Sequence, residues 1–117
     1  MKYPCPCCGY LVFNGPPGDL YEICPICFWQ DDDSSLQYMA MPDGPNRVSL
    51  MEGQKNFAVF GACELRFQAR GRAPTAMDQR DPTWRPIDPR IDLPSPKDKT
   101  TLYYWRPDYW LTGIRKL

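Results

Sequence analysis

The chain has 117 residues, with 14 basic against 14 acidic side chains, six Cys, 14 Pro and no His. Without His there is no Ser-His-Asp triad, no Cys-His dyad and no imidazole metal ligand. One small domain over residues 1–117 is expected, and Pro at about 12 % of residues, against a usual ~5 %, keeps regular elements short.

The charges cancel overall but not locally. Residues 1–46 hold Lys2 against Asp19, Glu22, Asp31, Asp32, Asp33 and Asp43, a net of 1 − 6 = −5. Residues 47–117 hold 13 basic and eight acidic residues, a net of +5. An acidic front half disfavours nucleic acid there, because neutralising phosphates drives most such binding. No stretch approaches the ~18 apolar residues of a membrane span. The N-terminal MKYPCPCCGY has no apolar run of the kind a signal peptide needs. The expectation is a cytoplasmic protein without a membrane partner, and closely spaced Cys pairs there bind metal more often than they form disulfides.

In chain order, a Cys-rich segment over 4–30 comes first. Tyr10–Phe13 and Leu20–Ile23 are short apolar runs either side of the turn cluster Asn14-Gly15-Pro16-Pro17-Gly18-Asp19, which predicts a hairpin between the two Cys pairs. Residues 31–47 read as loop, with one helical turn over 36–41. The main helix is predicted over 49–61. Ser49 can cap the Glu52 N–H, and Gly61 supplies the C-terminal stop. Gly53 inside that helix costs ~1 kcal/mol against Ala, which close packing would justify. Residues 63–69 alternate apolar and polar, a strand-like period. Residues 70–99 read as a Pro-rich extended connector, with Trp84, Ile87, Ile91 and Leu93 as anchors. Thr100–Trp105 reads as a strand ended by Pro107, and Tyr109–Leu111 as a last anchor. The fold class is small α+β: a zinc-ribbon-like hairpin, one main helix, short strands and an extended C-terminal segment.

The chemistry sits in Cys5-Pro6-Cys7-Cys8-Gly9 and Cys24-Pro25-Ile26-Cys27, two C-x-x-C pairs with 15 residues between Cys8 and Cys24. That spacing is a zinc pattern. Two thiolates three positions apart can bend around one ion if the intervening turn is tight. Pro6 and Pro25 preset φ for that turn, and Gly9 admits a left-handed residue after the second ligand. Phe28 occupies the corresponding place in the second pair, a less favourable choice. The ligand set is Cys5, Cys8, Cys24 and Cys27, with Cys7 and Cys63 left over. Spacing alone leaves open iron in place of zinc, a redox pair or disulfides. Four Cys leave no open coordination position, so the ion is structural.

Cys5-Pro6-Cys7-Cys8-Gly9-Tyr10, Tyr21-Glu22-Ile23-Cys24-Pro25-Ile26-Cys27-Phe28-Trp29-Gln30-Asp31-Asp32, Asn46-Arg47-Val48-Ser49-Leu50-Met51-Glu52, Asn56-Phe57 and Phe60-Gly61-Ala62 together resemble the cysteine-rich CPCC family of small bacterial proteins. The resemblance covers about residues 4–63. It implies a zinc-ribbon-like domain and no particular activity. Family members are similar to small proteins found beside bacterial toxin systems, where immunity proteins are common.

The expected function is a non-catalytic, zinc-stapled protein-binding module: an immunity protein that covers a toxin, as a monomer or in a 1:1 complex. Its expected contact is Trp29 with Asp31, Asp32 and Asp33, an aromatic beside charges that could steer a basic partner. The plainer reading of that Asp run is a solvated loop or a helix start. The alternative function is a nucleic-acid-binding zinc ribbon. It would use Arg66, Arg70, Arg72, Arg80, Arg85 and Arg90 with Trp84, and Arg106 near Tyr103, Tyr104 and Trp105, although a zero net charge does not favour it. An enzyme is the third reading. Carboxylates are plentiful, but no pair stands out, and Cys63 has no His to activate it.

Overall fold

The computed structural model describes residues 2–18, 20–42, 44–93, 102–103 and 105–110. Its first feature is a two-stranded antiparallel hairpin, β1 (Tyr3–Pro4) against β2 (Leu11–Phe13), with a register shift between Tyr3 and Pro4. The hairpin therefore closes over the first Cys pair. The expected pairing of residues 10–13 with 20–23 does not form. Residues 10–13 are already paired elsewhere, with β1 and, through Leu11 N to Gln79 O at 2.8 Å and a bridge of Tyr10 to Arg80, with a distant segment. Pro16 and Pro17 carry no N–H to extend a ladder. The next donors, Gly18 N and Leu20 N, both go to the Asp31 carboxylate, at 2.7 and 3.0 Å to Oδ2. Ile23 instead bridges Gln30 across the second Cys pair. The Asn46 side chain extends that edge, accepting from Gln30 N at 3.0 Å and donating to Gln30 O at 2.8 Å.

Helix α1 spans Asp33–Gln37, earlier than the expected turn at 36–41, because Asp32 caps it by accepting from Ser35 N at 2.8 Å. Helix α2 spans Leu50–Phe60. Ser49 Oγ accepts from Glu52 N at 3.1 Å, and Gly61 ends the helix at φ 81° with its N–H on Phe57 O. Both ends are those predicted from sequence. Leu50, Gly53 and Gln54 form its buried face, with Phe57 half-buried on the same side.

The alternating segment 63–69 is not a strand. Leu65–Phe67 is a single 3₁₀ turn, closed by Phe67 N to Glu64 O at 3.0 Å and Gln68 N to Leu65 O at 3.1 Å. Leu65 is left exposed, while Phe67 turns onto the Phe28 ring with centroids 4.8 Å apart. Residues 70–88 run without helix or strand beyond a bridge of Arg80 to Tyr10. Helix α3 (Pro89–Asp92) follows, with Asp88 as N-cap and Pro89 at its first position. Of the expected anchors, Ile87 is buried and Trp84 and Leu93 are half-buried, but Ile91 is exposed on α3. Pro94 and Pro96 lie outside the described residues. A second antiparallel pair joins β3 (Leu102–Tyr103) to β4 (Arg106–Trp110). Pro107 thus sits inside a strand rather than ending one. Both members of a two-stranded sheet are edges, where a missing N–H is tolerated. Thr100, Thr101, Tyr104 and Leu111, named in the expected strand and anchor, lie outside the described residues.

The core gathers all six cysteines with Phe13, Ile26, Trp29, Met39, Leu50 and Ile87. Trp29 is its largest fully buried side chain among the described residues. Removing such a ring from water takes about 200 Å² out of contact with solvent, worth ~5 kcal/mol at 25 cal/mol per Å². Gly53 lets α2 approach this ring. A Cβ there would stand 3.2 Å from both Cys7 Sγ and Trp29 Cζ3. That is the close packing which justifies a helix-interior glycine.

Candidate metal centre

The two Cys pairs are built alike. In the first, Cys5 N donates to Tyr10 O at 2.9 Å and Gly9 N to Cys5 O at 2.7 Å. In the second, Cys24 N donates to Trp29 O at 2.8 Å and Phe28 N to Cys24 O at 3.0 Å. Each turn needs a left-handed residue after its second thiol. Gly9 supplies it at φ 80° and Phe28 at φ 70°. Within the second turn, Ile26 N and Cys27 N lie 3.4 and 3.5 Å from Cys24 Sγ, donating to the sulfur. Amides aimed at a sulfur stabilise its thiolate form.

The turns bring Cys5, Cys8, Cys24 and Cys27 together. All four are buried, and their sulfurs lie within 4.8 Å of one another. Cys5 Sγ is 3.7 Å from Cys27 Sγ, and Cys8 Sγ is 3.7 Å from Cys24 Sγ. A tetrahedron with ~2.3 Å metal–sulfur bonds has edges of about 3.8 Å. A disulfide needs about 2.05 Å. The donor set and its spacing therefore fit a four-coordinate ion and not a pair of disulfides. Burial pushes the Cys5 and Cys27 thiols up, while hydrogen bonds, Cys27's foremost and then those of Cys5 and Cys8, pull Cys24 down. Four thiolates in one apolar site repel one another, and a bound cation is what lets all four ionise.

Cys7 stays out of this set. It is fully buried, and burial raises its thiol, as it does that of Cys63. Both behave as small apolar side chains in the core.

Residues that follow α2, together with Gln54 on it, hold the turns from outside. Gln54 Nε2 and Trp84 Nε1 both donate to Pro6 O, each at 3.0 Å. Arg80 Nε donates to Cys8 O at 2.9 Å and Asp81 N to Gly9 O at 2.9 Å. Around the second turn, Cys63 N donates to Cys27 O at 2.9 Å and Arg72 N to Pro25 O at 3.1 Å. Carbonyls that face outward from a metal knuckle would otherwise need water, so these contacts fix its shape. Sequence reasoning missed Gln54 and Arg80 in this role. A signal was present for Gln54, a polar residue on the stripe of Leu50, Gly53 and Phe57, where a buried amide needs partners.

The expected contact surface is corrected. Trp29, Asp31 and Asp32 are 1 %, 0 % and 2 % exposed, so none of them can meet a partner. Asp31 accepts the Gly18 and Leu20 N–H groups, and Asp32 caps α1. Only Asp33 of that group is on the surface. The plainer helix-start reading of the Asp run is the one the structure has. Four of the seven arginines expected to track phosphate are already ion-paired: Arg66 with Glu64, Arg72 with Asp78, Arg85 with Asp92 and Arg90 with Asp88. No helix among the described residues is long and apolar enough to cross a membrane.

No curated protein and no solved structure matches the sequence. The family model for "Cysteine-rich CPCC" matches residues 3–78. That span takes in both Cys pairs, α1, α2 and the 3₁₀ turn, and runs beyond the blocks ending near residue 63. The match covers more than half of the chain and includes all four clustered thiols, and the protein belongs to the cysteine-rich CPCC family.

Proposed function

We propose that this protein is a non-catalytic, zinc-stapled binding module, and that its activity is stoichiometric: an immunity protein that neutralises a toxin domain by covering it in the cytoplasm. The observation that carries the non-catalytic part is the closed cage. Four buried thiols fill a tetrahedral ion's coordination, which leaves no position for a water or a substrate. The sequence also has no His to act as a general base. Zinc is the ion proposed because it takes four thiolates without redox chemistry.

The toxin partner rests on the family's resemblance to proteins found beside toxin systems. With Trp29, Asp31 and Asp32 in the interior, the contact is reassigned to Tyr21 and Ile23. Both are exposed, at 58 % and 48 %, on the edge of the second knuckle, with Gln30 Nε2 donating to Tyr21 O. Aromatic and branched side chains on a metal-braced edge lose little entropy on binding. The test is co-expression with a toxin domain encoded beside this gene. The protein should restore growth and purify with the toxin in a 1:1 complex by light scattering. Ile23→Asp should lose the complex while keeping its metal. Failure of the folded, metal-loaded protein to protect cells would reject the immunity reading, and turnover of a substrate by the isolated protein would reject the non-catalytic one.

A further inference from the structure

A cavity of about 540 Å³ opens between α2 and the residues around Trp84, directly beside the metal cage. This is within the size range of small-molecule sites. Its walls are mainly apolar, with Met51, Phe57, Trp84 and Ile87 prominent. Among the described residues that line it two are charged, Lys55 and Arg80, and both are cations. We propose that this cavity binds a small amphipathic carboxylate, an aryl or branched-alkyl group carrying one carboxylate, with the apolar end against Phe57 and Trp84 and the carboxylate on Lys55 and Arg80.

Arg80 is held ready for an anion. Its guanidinium lies 4.9 Å from the Tyr10 ring centroid, 5.2 Å from Trp84 and 5.9 Å from Phe57, within cation–π range of all three. Its Nε is committed to Cys8 O. Among the described residues its two terminal nitrogens meet no carboxylate, whereas Arg66, Arg72, Arg85 and Arg90 each have one. Lys55 likewise makes no ion pair among the described residues. A pre-positioned guanidinium needs little ordering when a carboxylate arrives.

The neutral polar groups of the wall are already used. Gln54 donates to Pro6 O and accepts from Ile87 N at 2.8 Å, and the Trp84 indole N–H is on Pro6 O. A neutral polar ligand would find few donors, and a purely apolar one would leave the two cations unanswered. Charge and shape together select an apolar body with one negative end. This ligand class is independent of the toxin reading.

The site is also wired to the metal knuckle. Cys7 lines the cavity, and Trp84 and Gln54 both hold Pro6, between the ligands Cys5 and Cys8. A ligand that fixes Trp84 therefore stabilises the closed first turn and raises the protein's affinity for the metal. By reciprocity, the metal-loaded protein binds the ligand more tightly than the metal-free one.

The test uses the full-length zinc-loaded protein, with phenylbutyrate as the probe and phenylbutanol as its neutral counterpart, followed by the NMR shift of the Trp84 indole N–H. Phenylbutyrate should give a saturable shift and bind about tenfold more tightly than the alcohol, the effect of ~1.4 kcal/mol. Lys55→Gln should remove about two- to fivefold of the acid's affinity, as loss of one exposed charge pair does, and leave the alcohol's unchanged. Ala58→Trp, on an exposed position of the cavity rim, should block both. Phenylbutyrate should also leave more zinc on the protein at equilibrium with a chelator. No saturable shift at Trp84, equal binding of acid and alcohol, or unchanged binding in Ala58→Trp would each overturn the proposal.

Discussion

Phe28 adopts in the second knuckle the left-handed backbone that Gly9 adopts in the first, at φ 70° against 80°. The two positions are equivalent in hydrogen bonding, yet one carries no side chain and the other a ring. At Gly9 a Cβ would lie 2.6 Å from Trp84 ring atoms, so no side chain fits. At Phe28 the ring has somewhere to go, onto Phe67 at 4.8 Å. The left-handed geometry costs a non-glycine residue ~1–2 kcal/mol, and an aromatic pair returns ~0.5–1.5 kcal/mol beyond its burial.

These magnitudes set the first prediction. Gly9→Ala should destabilise the metal-loaded protein by about 2–4 kcal/mol, because backbone strain adds to a clash with Trp84. Phe28→Gly should cost less, about 0–2 kcal/mol, because relief of strain offsets much of the lost burial and ring packing of a half-buried side chain. Urea unfolding of both variants with zinc bound measures the difference. Equal effects at the two sites would show that the knuckles are not equivalent in the way described.

Gly53 gives the second. Ala there gains ~1 kcal/mol in helix propensity. It also pushes on Cys7 Sγ and the Trp29 ring from 3.2 Å, so Gly53→Ala should be neutral within about 1 kcal/mol. Gly53→Leu should cost about 2–3 kcal/mol, since the ring beneath it is fully buried and has no room to move. Thermal unfolding that left the Leu variant as stable as wild type would contradict the packing of α2 on Trp29.

Asp31, expected to steer a partner, instead organises a loop. Its carboxylate accepts Gly18 N through both oxygens, at 2.9 and 2.7 Å, and Leu20 N through one. Asp31→Asn turns one acceptor into a donor facing those N–H groups. It should cost about 1–3 kcal/mol, the penalty of unsatisfied buried groups. Asp33→Asn, at the exposed end of the run, should be silent in the same unfolding assay.

Asp32 supplies a pH dependence. Burial raises its carboxyl above the ordinary value of 3.8. The folded state then holds a proton that the unfolded state has released, so stability from this group is present at low pH and is lost as pH rises through the raised value. At neutral pH the charged form carries the full penalty. Asp32→Asn keeps the cap on Ser35 N and removes the charge, so it should match or exceed wild type at pH 7. Its advantage should shrink toward acid. Asp32→Ala should lose about 1 kcal/mol with the cap. An Asn variant as unstable as the Ala variant at neutral pH would refute the burial penalty.

The parts of the fold legible in sequence are those set by short-range rules. The C-x-x-C spacing locates the four thiols, and Ser49, Glu52 and Gly61 locate both ends of α2. The parts that are not legible depend on contacts distant in sequence. The strand that pairs with Leu11–Phe13 is two residues long and includes Pro4, too short to show a period. The burial of Asp31 follows from donors stranded after Pro16 and Pro17, which composition reads only as a turn. Cys63, Leu65 and Phe67 alternate like a strand, but a 3₁₀ turn places residues on faces that such a short run does not distinguish. The hold of Trp84 on Pro6 spans 78 residues of sequence, and only the folded protein displays it.

The cage itself is tested most directly by zinc-edge X-ray absorption on protein purified without added metal, in wild type, Cys7→Ser and Cys24→Ser. Wild type and Cys7→Ser should each hold one zinc with four sulfurs at ~2.3 Å. Cys24→Ser should lose the ion and unfold the N-terminal segment, because three thiols cannot hold a closed structural site. A folded wild-type protein without metal, or a Cys7→Ser variant that loses a sulfur while Cys24→Ser keeps all four, would contradict the assignment of Cys5, Cys8, Cys24 and Cys27.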